Sequence, residues 1–431
     1  MTQTMKWETM IEIMKKNVMP ATGCTEPISL AYAAAVAAKH LGYPAERVEA
    51  YVSANLMKNG MGVTVPGTGR PGLQMAAAIG ALDGDAEGGL QVLGNLHEDK
   101  VTEAKNMVDS GLATVAVKDV PQVLYSEANV YGQGHCVQVC IADSHTHIIF
   151  IKKDEEIVFS LPQNETAEID PDVKFLRSLT FYDIYEFAVK APLPMLSFIK
   201  EAATLNDALS EIGLSGEYGL GMGHAMADKI DKNLIGTDLF NQVVMRTTAA
   251  ADARMGGAPY AAMSNSGSGN QGICATVPVT VVARHLGAEE EKLIRALAFS
   301  HMTAIYIHGF LPKLSALCCG LTSSMGGAAG MALLMTGDYD TAARALSSMT
   351  GDVTGMVCDG AANSCAMKVG SASGSAFRSV MLALDGKRVS GNEGLVSDTV
   401  DESLRNIGVL ATKGMQETDK QILDIMLHKN Q

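Results

Sequence analysis

At 431 residues the chain is long enough for two domains, or for one domain with a large insertion. Its 33 basic and 47 acidic side chains leave a net charge of −14, and no basic stripe offsets it, so nucleic acid and anionic membranes are excluded as partners. Aromatics are scarce at 5%, whereas 43 glycines, 25 methionines and abundant alanine favour closely packed helices over a sheet-rich core.

The N-terminal residues Met1–Lys16 carry Glu8 and Glu12 and have no long apolar run, so they do not read as a signal peptide. The longest weakly polar stretches, Ile28–Ala38 and Met325–Met335, fall short of the ~20 residues a membrane span needs. A cytoplasmic protein is expected. In a reducing compartment the eight cysteines (24, 136, 140, 274, 318, 319, 358 and 365) are then buried small residues, metal ligands or reactive thiols, not a disulfide framework.

Glu8–Val18 places Met10, Ile11, Met14 and Val18 on one helical stripe. In Met19–Pro27, Gly23 permits a turn, Thr25 reads as an N-cap and Pro27 fits a first helical turn, with the helix running to about His40. Cys24 therefore falls on an exposed turn just outside a helix N-terminus, where the macrodipole and free N–H groups favour a thiolate. Arg47–Met57 alternates as a strand. It leads into Lys58–Gly72, whose glycines and prolines end regular structure. That segment is either a plain surface loop or an anion cradle in which Asn59 and Arg70 hold a carboxylate; it is not a Walker loop.

Glu98–Ser110 reads as a helix ended by Gly111, and Ala113–Ser160 is the strongly β stretch. Its strands are Thr114–Lys118, Val123–Val130, His135–Ala142, Thr146–Lys152 and Ile157–Leu161, with hairpin turns at Asp143-Ser144 and Asp154-Glu155. Cys136 and Cys140, with His135, His145 and His147 nearby, have the look of a zinc pattern. A period of two puts both cysteines on one sheet face as core residues, which is the simpler reading. Pro162–Pro171 is loop-like, Arg177–Lys190 is helical, and Ala191–Met195 is the best boundary.

Beyond it the pattern is all-helical: 195–212, 224–234, 238–254, 273–286, 289–307, 314–335, 339–350, 363–384, 392–405 and 417–428. The fold class is thus α+β. A mixed domain at 1–193 holds an antiparallel-rich sheet, and an all-α, Gly- and Ala-rich domain occupies 194–431. Ser264–Gly272, just before a helix, offers Ser266, Ser268, Asn270 and Gln271 to a carboxylate. His301 and His308 share a helical face and read as core residues, as does Cys274.

Cys318 and Cys319 close the stretch KLSALCCG, and Cys358 and Cys365 stand seven apart in CDGAANSCAMKV. These spacings are poor for zinc. Three such thiolates can hold three irons of a cubane and leave the fourth open, although cysteines in helices can also be packing. The segments GCTEP (23–27), NGMGV (59–63), SGSGNQG (266–272), CCG (318–320) and CDGAANSCAMKV (358–369) resemble the L-cysteine desulfidase family, related to iron–sulfur-dependent L-serine dehydratase alpha chains. The resemblance spans nearly the whole chain, and the cysteine spacing is its most specific part.

The resemblance implies an oxygen-sensitive [4Fe–4S] cluster, no pyridoxal phosphate, and conversion of L-cysteine to pyruvate, ammonia and sulfide. It assigns Cys24 as base and Cys318, Cys358 and Cys365 as cluster ligands; the doublet leaves Cys319 open as the alternative to Cys318. Chemistry adds Lys313 or Lys368 as a cation that stabilises enolate-like charge. A homo-oligomer acting on a small amino acid is expected. L-Serine dehydratase is the near rival, and a non-catalytic iron–sulfur sensor or a metal-free binding protein the distant ones.

Overall fold

The computed structural model describes residues 2–161 and 170–428, and shows an α+β chain with a mixed sheet in its N-terminal half and helices in its C-terminal half. The strands are β1 (Pro20–Thr22), β2 (Arg47–Val52), β3 (Ala113–Val117), β4 (Tyr125–Gly132), β5 (His135–Ala142), β6 (Ile148–Lys153), β7 (Glu156–Ser160) and β8 (Ala261–Met263). Six of them form one sheet in the order β3-β2-β4-β5-β6-β7, parallel only between β2 and β3. Asp143 and Asp154 take positive φ at the expected hairpin turns.

Alternation along β2, β4 and β5 puts Val48, Ala50, Val52, Ala128, Val130, Val137, Val139 and Ile141 on the face packed against the helix Thr25–Leu41. Cys136 and Cys140 do share a face, but it is the opposite one. There Cys140 packs with Tyr125 and Ala142, and Cys136 stays half-buried. The second and larger core joins the helices of the C-terminal half to Met10–Met14 of the helix Gln3–Asn17, to Val18 just after it, and to Leu176–Ala191. The apolar cores thus do not follow chain order.

Several boundaries differ from expectation. β2 stops at Val52 because the Ser53 hydroxyl accepts from the Leu56 amide and caps the helix Ala54–Gly60, which takes in Leu56, Lys58 and Asn59. The helix expected from 273 begins at Gly269, so Asn270 and Gln271 lie in its first turn, not in a loop. Helices expected from 314 and 392 begin at Cys319 and Val400, and Arg177–Lys190 is split between Pro171–Ser178 and Phe181–Lys190. The helical half is not free of strand: β8 pairs antiparallel with β1. Most of the expected Pro162–Pro171 loop lies outside the described residues.

Glycine sets how closely the helices approach. A Cβ at Gly213 or Gly272 would lie 1.8 Å from the carbonyl oxygens of Ala249 and Met263, and one at Gly326 would lie 2.3 Å from that of Ser300. Only a residue without a side chain fits at such contacts.

Candidate functional site

The ribbon β1–β8 ties the turn at Cys24 to the segment after Met263, since the Ser264 amide and hydroxyl both donate to the Met19 carbonyl. Gly23 follows with φ 74°, and Cys24 caps the helix Thr25–Leu41. The predicted cap, Thr25, is instead the first helical residue. A second junction closes the forty-residue gap between the other cysteines. Leu317 bridges Val357, with the Cys318 amide donating to Met356 and the Cys358 amide to Ala316. Cys365 starts the next helix, Cys365–Leu384, seven residues on.

Cys24, Cys318, Cys319, Cys358 and Cys365 all line one cavity between the two cores, together with Glu26, Asn59, Ser266, Ser268, Asn270, Gln271, Lys313 and Lys368. Arg70 is the expected site residue that the structure does not bring there. It pairs with Asp109 at 2.7 Å, beside Gln74 and the start of β3, because the glycine-rich segment turns back at the Thr64–Pro71 bridge.

The Cys24 thiol is buried, not exposed, and donates to Glu26 Oε2 at 3.1 Å. Burial, reinforced by the Glu26 carboxylate, pushes its pKa well above the ordinary thiol value, although the Arg254 charge pulls the other way. The expected helix-terminus thiolate is therefore overridden by desolvation. Thr25 Oγ1 and Asn59 Nδ2 also donate to Glu26, at 3.2 and 3.4 Å. Glu26, which the sequence reading passed over, is the acceptor on which this corner of the cavity converges.

Cys318 is raised to about 12 by burial and by Cys358 and Cys365, while the Leu321 and Gly320 amides at its helix start favour its thiolate. Burial also raises Cys365, against the Ala362 amide, Lys368 and Arg254. Cys319 lies on the same wall, 3.9 Å from Ser268 Oγ, and its pKa is raised by burial and by Cys318, Cys358 and Glu26. Lys368 donates to the Val357 carbonyl at 3.0 Å and pairs with Asp359. Burial would lower its pKa, but Asp359 and the neighbouring thiols outweigh that and hold it raised. Lys313 donates to the Asp143 carbonyl in the β5–β6 turn, so this hairpin closes one side of the cavity.

Three further residues on the wall were missed or discounted by sequence reasoning. His145, set aside with the β-region histidines, is half-buried against Gly267, and His308 reaches the wall although His301 is held in the core by Asn265 and Thr276. Burial lowers the pKa of both His145 and His308, the latter to about 4. Arg254, 3% exposed, closes the helix Leu239–Met255. Its only sequence signal is a lone cation after an Ala-rich run.

No three His, Cys, Asp or Glu side chains among the described residues converge closely enough to hold a single metal ion. A cubane makes a different demand, because each protein thiolate binds its own iron and the sulfurs stand apart around it. Cys318, Cys358 and Cys365, from separate turns of one cavity wall and close enough to perturb one another, fit that donor set.

A thiol-walled cavity lined by a carboxylate and cations thus lies where the sheet core meets the helical core. The chain belongs to the serine dehydratase alpha chain family, a lyase-type family whose model matches residues 87–424. It is 53% identical to a UPF0597 protein of Chromobacterium violaceum over 424 residues, 98% of each chain. It is 51% identical to one of Actinobacillus pleuropneumoniae over 98% of this chain and 97% of the relative. It is 50% identical to the UPF0597 protein YhaM of Salmonella typhimurium over 98% of each. No helix among the described residues is long and apolar enough to cross a membrane.

Proposed function

We propose that the protein is an L-cysteine desulfidase, eliminating sulfide from L-cysteine to give pyruvate and ammonia without pyridoxal phosphate. The observation that carries this reading is the convergence of Cys24, Cys318, Cys358 and Cys365 on one cavity. Cys318, Cys358 and Cys365 would hold a [4Fe–4S] cluster, which when bound supplies Lewis acidity to the leaving sulfur. Cys319, beside Cys318 on the same wall, is the alternative to it in that set.

Cys24 is the base. Its thiol proton passes to Glu26, within hydrogen-bond distance, and the thiolate takes the α-proton of the substrate. A buried thiolate is a strong base for the reason that it is hard to form: little solvent stabilises its charge. As the α-proton leaves, the C–S bond breaks with its electron pair on sulfur. The resulting enamine tautomerises to an imine, and water converts that to pyruvate and ammonia. Lys368, and Lys313 across the cavity, stabilise enolate-like charge on the substrate.

Anaerobically purified protein should release sulfide and pyruvate in equal amounts from L-cysteine; a cluster-loaded protein that releases neither would sink the proposal. L-Serine is the second reading, favoured by the description of the matched family. The ratio of kcat/KM for the two amino acids decides between them.

A further inference from the structure

A buried guanidinium normally has its N–H groups paired, since an uncompensated interior charge is strongly destabilising. Arg254 departs from this. Its Nε and Nη2 have no hydrogen-bond partner among the described residues, and Nη1 has only the Met255 sulfur, at 3.3 Å. A thioether is a weak acceptor for such a donor. The side chain is nevertheless fixed. A Cβ at Gly269 would lie 2.2 Å from Arg254 Nε, so the guanidinium lies hard against the glycine that opens the next helix.

The neighbouring amide completes the pattern. Asn270 Nδ2 reaches the same Met255 sulfur at 3.3 Å, and Asn270 Oδ1 has no partner among the described residues. Unpaired donors of a fixed cation and an unpaired acceptor therefore stand side by side in the cavity wall. The same wall carries Cys24 and Cys365, which pack against Met255. Donors and acceptor together match one kind of ligand: an α-amino acid zwitterion, whose carboxylate accepts and whose ammonium donates.

We infer that Arg254 is the anchor of the substrate's α-carboxylate, with Asn270 Oδ1 receiving the α-ammonium. This rests on the reading of the cavity as an amino-acid site, and it gives Arg254 the part that sequence reasoning gave to Arg70. The anchored carboxylate fixes which face of the α-carbon meets Cys24, so Arg254 sets both affinity and the requirement for a free carboxylate.

The test is calorimetric titration of the anaerobic holoprotein with L-alanine, which has both charged groups but no leaving group, and with L-alaninamide, whose carboxylate is neutralised. Wild-type protein should bind L-alanine saturably at millimolar concentrations and the amide roughly 30-fold or more weaker. Arg254→Gln should lose a similar factor for L-alanine at unchanged iron and sulfide content, and Arg254→Lys, which keeps charge but not the fork, should fall between. Failure of the wild type to bind L-alanine, or equal binding of acid and amide, overturns the inference without need of any variant. So does a folded Arg254→Gln protein with unchanged affinity, or one that keeps its preference for the acid but loses iron. If Arg254 governs L-alanine binding yet neither L-cysteine nor L-serine is turned over, the lyase reading fails and the anchor stands. Turnover with an unchanged KM in Arg254→Gln removes the anchor and leaves the lyase.

Discussion

Cys24 holds its proton because burial and the adjacent Glu26 carboxylate both disfavour the thiolate. Removing the thiol in Cys24→Ala should lower kcat by about 10²–10⁴-fold with iron content intact; turnover preserved in a cluster-loaded variant would reject the base assignment. Glu26→Gln keeps the shape but cannot take the thiol proton, and should lower kcat with little change in KM. Among the remaining cysteines the doublet gives a sharper comparison. Cys358→Ser and Cys318→Ser should lose iron and the cluster absorbance, whereas Cys319→Ser, whose sulfur lies 3.9 Å from Ser268 Oγ, should retain both. Iron loss in Cys319→Ser with retention in Cys318→Ser would reverse the ligand assignment.

Secondary-structure elements meet at the site through short junctions that glycine permits. Gly272 lets the helix Gly269–Leu286 start against the Met263 carbonyl, which sets the register of β8 and of the Ser264–Ser268 turn. Gly272→Ala must displace backbone, so it should destabilise the protein by about 1–3 kcal/mol in urea unfolding. Alanine at Gly42, where nothing lies within 4 Å, meets no such packing clash and should show only the smaller penalty of its positive φ. Equal losses at the two positions would mean that helix approach is not the limiting contact. The Leu317–Val357 bridge has a similar role. This single bridging pair brings Cys318 to Cys358, and helices then start at Cys319 and Cys365.

At the scale of the molecule, the C-terminal helix Gln416–His428 braces the loop that carries Cys358. Lys58, 1% exposed, donates to the Cys358 carbonyl at 3.1 Å and pairs with Asp419 of that helix, while Met426 packs against Gly360. Asp419→Ala leaves a buried ammonium without its carboxylate. It should cost roughly 3–5 kcal/mol by denaturant unfolding, and amide exchange in Gln416–His428 should rise. Replacing both partners, Lys58→Met with Asp419→Leu, should recover much of that loss. Recovery would assign the cost to the orphaned charge; none would assign it to lost packing of the helix.

The sequence by itself determined what local chemistry dictates. Alternation with turn residues fixed the β5–β6 and β6–β7 hairpins, helical period and capping fixed most helices to within a turn, and the rare cysteines marked the site. Only the tertiary structure decided what depends on partners distant in the chain. It buried Cys24 and Glu26 together and so disfavoured the thiolate, and turned Arg70 to Asp109 while leaving Arg254 Nε and Nη2 without a hydrogen-bond partner among the described residues. It also drew β8 out of an apparently all-helical half to pair with β1. The physical reason is that a buried group's pKa, an ion pair or a three-residue strand is set by desolvation and by partners brought in from elsewhere in the chain, and no local pattern encodes either.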